Sequence, residues 1–210
     1  MNIFDYQQGI HPDTGKILSF DQDILITPFY TEDYCQTIVN FCKQYSNYFV
    51  NTGPQYDDPY SNNSLYLDRI SPLLFDQYVN HFMSKITPVV NKLFLWDRNI
   101  EGFFSPFINR FSPDTQSFMP LHCEESRISI VVKLNNDFQG GFLNFPRQKI
   151  TSQNLPVGHA FVFPGMVTHP HYVDTLISGQ RFTLTGFTVP PFWKSNDVTH
   201  WSNVNIIKLS

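Results

Sequence analysis

Cysteine is scarce in this 210-residue chain: three residues, at 35, 42 and 123, an odd number with no metal-ligand spacing between them. Cys35 and Cys42 fall two turns apart on one face of an expected helix, too far apart to bridge. That pattern places the chain in a reducing compartment, the cytoplasm. Charge is thin as well, at 15% charged residues against 41% hydrophobic, with twenty-one Phe. Such a balance excludes a disordered tail and supplies a sizeable core. The net charge of −4 lacks the basic excess that nucleic-acid phosphates call for, so no nucleic-acid partner is expected. No stretch approaches membrane-spanning length, and no membrane partner is expected. The opening Met-Asn-Ile-Phe-Asp-Tyr-Gln-Gln has neither a basic region nor an apolar run, so no signal peptide is expected.

What is present fits one domain with an N-terminal annex. Residues 1–101 form a helical portion with a long loop, 102–190 a β core, and 191–210 a tail. Ile24–Thr27 reads as a short strand, and Thr31 caps a helix to about Tyr45 with Glu32 and Asp33 in its first turn. The polar, tyrosine-rich stretch 47–70 is either a surface excursion or a lid. Ser71-Pro72 starts a helix through Leu74, Tyr78, Phe82, Ile86 and Val89, which Pro88 should kink or divide. From Gly102 the period changes to two. Strands are expected near 103–111, 117–122, 128–134, 142–145, 149–151, 160–163, 168–173 and 181–188. Short strands between Pro and Gly turns favour a jelly roll or barrel over a parallel sheet. The tail, with Trp193 and Trp201, holds an apolar Val204–Leu209 that either pairs back or meets a second subunit, leaving monomer or homodimer open.

The chemistry sits between His122 and Arg181. His122 and Glu124 flank Cys123, so in an extended segment both side chains point the same way. With a later imidazole they make the two-histidine, one-carboxylate face that leaves an octahedral Fe(II) open on one side. The later histidine is His169 or His171, which share a strand face, and the acid is Glu124 or its neighbour Glu125. Arg181 opens an alternation of Arg181, Thr183 and Thr185 against Phe182 and Leu184. An arginine facing into an apolar barrel needs an anion. Ser129 lies on the inner register with Val131 and Lys133, placed to add a hydrogen bond. Lys133 either ends in solvent or adds a further anion contact. A His-x-Glu alone is expected by chance about half the time in this composition; a later His with Arg ten positions on lowers that to about 0.1.

The segment from Ile108 to Val189 resembles the 2-oxoglutarate and Fe(II)-dependent dioxygenases of the prolyl and lysyl hydroxylase type. The resemblance is carried by Pro120–Asn135, by Gly140-Gly141-Phe142, and by Leu155–Phe187 with its Ser178-Gly179-Gln180-Arg181. It implies a double-stranded β-helix (a cupin-like jelly roll), mainly β with flanking helices. It implies iron held by His122, Glu124 and His171, since the family's spacing of ten to the arginine selects His171. Arg181, with Ser129 and Thr183, would hold the distal carboxylate of 2-oxoglutarate. The implied reaction hydroxylates an unactivated C–H bond, of a prolyl or lysyl residue in a peptide or of a small molecule, with release of succinate and CO2. Ascorbate is a possible accessory reductant. Two positions depart from the family: Asp mostly stands where Glu124 does, and a donating Tyr usually stands where Phe111 does. A binding module without turnover is the reading from another class.

Overall fold

The computed structural model describes residues 8–10, 17–21, 23–51, 63–95, 100, 102–189 and 206–208. Three strands, β1 (Gln8–Ile10), β2 (Ile17–Asp21) and β3 (Ile24–Pro28), form an antiparallel meander at the start. The first two were not expected, because their short segments show no clean alternation and form by pairing outward from β3. Helix α1 (Glu32–Gln44) begins where the Thr31 hydroxyl accepts from the Tyr34 N–H, and it buries Cys35, Ile38, Val39 and Cys42. All three cysteines are free thiols. Strand β4 (Val50–Asn51) pairs with β5 (Asn63–Tyr66), which is buried along its length, so the stretch 47–70 is not the single polar loop expected. Between them, residues 52–62, with Tyr56 and Tyr60 and the centre of the lid reading, lie outside the described residues.

A short helix, α2 (Leu67–Ile70), leads into α3 (Pro72–His81), whose Ser71 hydroxyl accepts from the Leu74 N–H. Pro88 divides this helix as the sequence predicts. It has no N–H to give the preceding turn, and the backbone widens to π geometry over Phe82–Ile86, the Thr87 N–H reaching the Phe82 carbonyl. Helix α4 (Thr87–Val90) follows.

The single strand expected over 103–111 is two, β6 (Gly102–Phe104) and β7 (Phe107–Phe111), because Pro106 between them has no N–H for the ladder. Then come β8 (Met119–His122), β9 (Ile128–Lys133), β10 (Phe138–Gly140), β11 (Leu143–Phe145), β12 (Ile150–Thr151), β13 (His159–Pro164), β14 (His171–Val173), β15 (Leu176–Gly179) and β16 (Arg181–Phe187). The antiparallel partners β10 and β15 were not expected, since each ends in a glycine at positive φ that reads as turn punctuation. The strand expected over 168–173 shortens to β14, a 3-10 turn occupying Met166–Thr168. Strand β17 (Ile206–Lys208) pairs back on β6, while Trp193 and Trp201 lie outside the described residues.

One antiparallel sheet runs β1-β2-β3-β13-β9-β16-β7-β5-β4, and a second runs β12-β11-β14-β8. All seven residues of β16 are buried, because both of its faces are covered. Phe182 and Leu184 join Ile130, Val132 and the helix residues Tyr78, Phe82 and Ile86 on the outer face. Phe111, Leu143, Phe145, Phe161, Phe163 and Val173 pack on the inner side, between the sheets. This is a jelly roll with helices packed on its outside. Inward-facing alternates of β16, namely Arg181, Thr183 and Thr185, are left pointing into the space between the sheets.

Candidate active site

Strands β8 and β14 pair so that His122 and His171 stand directly opposite each other, their ring centres 4.4 Å apart. Glu124 follows β8 by two residues. Its Oε1 lies 3.4 Å from His122 Nε2 and 3.2 Å from His171 Nε2. One ligand atom from each of the three falls within 4.8 Å of the others. The same local device aims both rings: His122 Nδ1 donates to the Pro120 carbonyl at 2.8 Å, and His171 Nδ1 to the His169 carbonyl at 2.9 Å. A ring that donates from Nδ1 turns its Nε2 lone pair toward a metal. Two imidazole nitrogens and one carboxylate oxygen are the donor set that suits ferrous iron with open positions. The Glu124 carbonyl accepts from the Met166 N–H at 2.6 Å, fastening the acid's backbone to the turn before β14.

Burial pushes the Glu124 carboxyl up, but hydrogen bonds and charge from His122 and His171 outweigh it and bring it down to about 2. For His122 burial favours the neutral ring, and the Glu124 carboxylate with the Pro120 carbonyl reverses that, raising it above the usual imidazole range. Where the raised ring carries its second proton, a metal must displace it. Mn(II) affinity is therefore expected to weaken as pH falls toward and through the ordinary imidazole range, by up to about tenfold per pH unit for one proton released. Glu124 stays ionised across that window and adds nothing to the slope. A flat titration profile would contradict a His122 ring held above the usual imidazole range by Glu124.

The triad opens on a cavity of about 260 Å³ whose walls include Phe107, Phe111, Val131 and Phe187. Arg181 lines it as well, only 3% exposed. Burial lowers its guanidinium to about 10, with Asp174 partly compensating, so it remains a cation at neutral pH. No carboxylate among the described residues pairs with it; its guanidinium lies 4.9 Å from the centre of the Phe111 ring. A buried cation facing an open cavity, with no carboxylate in contact, has the chemistry to hold an anion.

Thr183 and Glu125 line the same cavity. Ser129 does not: fully buried on the inner register, its hydroxyl is shared with Ser126 at 2.6 Å. Lys133 takes neither course expected of it. It is buried and donates to the Leu155 carbonyl at 2.8 Å. His169 contributes its main-chain carbonyl, while its ring hydrogen-bonds with the Thr168 hydroxyl and packs near Phe163. One wall residue, Asn109, was not singled out from sequence. The signal was there, because alternation along β7 puts Phe107, Asn109 and Phe111 on one face.

No family model matches the chain. A multifunctional procollagen lysine hydroxylase and glycosyltransferase of Caenorhabditis elegans is 26% identical over 196 residues, covering 86% of this chain and 27% of that protein. Human procollagen-lysine,2-oxoglutarate 5-dioxygenase 2 is 26% identical over 180 residues, covering 80% of this chain and 24% of its own length. The chain is similar to hydroxylases of the prolyl/lysyl type. It spans about a quarter of the length of these curated relatives. In fold, a Pseudomonas putida prolyl-4-hydroxylase aligns over 80% of this chain and 92% of its own, with a TM-score of 0.61 at 18% identity. A Trichoplax adhaerens prolyl hydroxylase, solved with a hypoxia inducible factor peptide fragment, aligns over 80% and 84%, with a TM-score of 0.59 at 14% identity. These hydroxylases share the jelly roll.

Proposed function

We propose that the protein is a 2-oxoglutarate- and Fe(II)-dependent dioxygenase. In this reading it hydroxylates an unactivated C–H bond of a prolyl or lysyl residue in a polypeptide and releases succinate and CO2. The observation that carries this is the pairing of His122, Glu124 and His171 with a buried Arg181 that no described carboxylate contacts, in one cavity. His122 Nε2, a Glu124 oxygen and His171 Nε2 would hold the iron. Once bound, ferrous iron supplies dioxygen activation coupled to oxidative decarboxylation of the 2-oxo acid.

The chain's own residues do the rest. Arg181 forks onto the distal carboxylate, with Thr183 adding a hydroxyl from the neighbouring inward position. Phe107, Phe111, Val131 and Phe187 keep water from the walls, which strengthens both polar contacts. The carbonyls of Pro120 and His169 hold the two rings in the metal-binding tautomer. A polypeptide substrate is favoured because the human relative is named for procollagen lysine and the Trichoplax neighbour was solved with a peptide. Ascorbate would serve as a reductant that keeps the iron ferrous. The three free thiols support a reducing compartment, the cytoplasm. Among the described residues no helix is long and apolar enough to cross a membrane.

Succinate release over a panel of prolyl peptides, lysyl peptides and free amino acids tests the reading. One polypeptide is expected to raise succinate in step with a hydroxylated product and only with Fe(II) present. Succinate indistinguishable from background with every substrate would overturn it.

A further inference from the structure

The role given to Arg181 leaves an adjacent part of the cavity wall unexplained. Lys133, Thr183, Asn109 and Ser64 stand in register across the neighbouring strands β9, β16, β7 and β5. All four are buried. An apolar barrel has no need of such a row, and each buried polar atom costs stability until it finds a partner. At one end Lys133 is satisfied by main-chain carbonyls. At the other, the fully buried Ser64 hydroxyl donates to Asn109 Oδ1 at 2.6 Å. With its oxygen engaged there, Asn109 has its amide NH2 left to offer the cavity it lines, and no acceptor among the described residues takes it.

Asn109 is the cross-strand partner of Thr183, and the next inward pair along the same two strands is Arg181 with Phe111. Same-face neighbours on a strand lie about 7 Å apart, within reach of one extended dicarboxylate. A carboxylate accepts and never donates, so it needs N–H or O–H groups around it. Phe111 can lie against the guanidinium but has no hydrogen to give. Asn109, two residues earlier on the same strand and face, has one.

We infer that Asn109, oriented by Ser64, donates its amide N–H to a carboxylate oxygen of the dicarboxylic co-substrate held by Arg181. The inference rests on the functional reading above. Asn109 is then a co-substrate-binding residue and Ser64 a positioning residue.

The test is titration of 2-oxoglutarate into the Mn(II)-loaded protein, followed by calorimetry, with Mn(II) affinity and thermal midpoint recorded for each variant. Asn109→Ala should weaken binding by roughly tenfold to a hundredfold, the worth of a hydrogen bond to a charged group. Asn109→Asp is the discriminating variant. It keeps the shape and the acceptor for Ser64, so a purely structural asparagine would tolerate it. A donor facing a carboxylate would not, and aspartate should bind more weakly than alanine because like charges then meet. Ser64→Ala, which leaves every cavity group in place, should weaken binding several-fold and provides the answer if the Asn109 variants fail to fold. Mn(II) affinity should not move in any of them. Wild-type affinity in Asn109→Asp, or in Ser64→Ala should the Asn109 variants not fold, would overturn the inference, while a loss confined to Arg181→Ala would leave the functional reading standing. A wild-type protein that holds Mn(II) but not 2-oxoglutarate would overturn the functional reading and this inference with it.

Discussion

His171→Ala is expected to lose Mn(II) binding and turnover together, with metal affinity falling by at least two orders of magnitude. Removing an outer partner of a metal ligand typically costs about 10–100-fold, and a direct ligand must cost more. The imidazole is buried, its Nδ1 is fixed on the His169 carbonyl, and its Nε2 points at Glu124 3.2 Å away. No rearrangement of the remaining pair restores a third donor at that position. His169→Ala makes the contrast. Its carbonyl survives the substitution, so metal affinity should stay within a few-fold of wild type. The packing its ring makes near Phe145 and Phe163 is lost, so the thermal midpoint should drop. Metal lost in His169→Ala and kept in His171→Ala would reverse the assignment of the second ligand.

This contrast also marks what local pattern can reveal. His-x-Glu on an extended segment requires only that alternate side chains share a face, and β8 with the residues after it delivers that. The two histidines two apart on β14's segment share a face by the same rule, so alternation alone left His169 and His171 equal. What separates them is pairing: His171 sits opposite His122 across the β8–β14 ladder, and His169 precedes β14 as the residue whose carbonyl orients it. Ser129 shows the same limit. Its inner-facing register was legible, but its pairing with Ser126 arises from the bend before β9, which no periodicity encodes. Strands β1, β2, β4, β5, β10 and β15 were missed because they are held by their neighbours and not by any alternation of their own. Asn109 was passed over because an asparagine between two phenylalanines looks ordinary until Ser64 is found holding its oxygen.

Arg181→Ala is expected to separate two properties that usually fall together, weakening 2-oxoglutarate binding while leaving the fold as stable as before or more so. The guanidinium is 3% exposed and, among the described residues, has no carboxylate partner, only the ring of Phe111. Keeping a cation there with no carboxylate in contact costs the empty protein stability, since burial lowers the group to about 10 and Asp174 only partly offsets that. Alanine removes that cost and so should hold or raise the thermal midpoint measured without co-substrate. Binding answers the other way. Deleting one partner of a buried charge pair costs about 2–5 kcal/mol, or roughly 30-fold to several thousand-fold in affinity. Arg181→Lys should recover only part, because an ammonium offers a point charge where the carboxylate meets a planar fork. Mn(II) affinity should change little, since His122, Glu124 and His171 stand on other segments. Unchanged 2-oxoglutarate binding in Arg181→Ala would remove the co-substrate from the cavity and leave the jelly roll as a metal-binding module without turnover. A fall in thermal midpoint would show instead that the arginine is held by the protein itself.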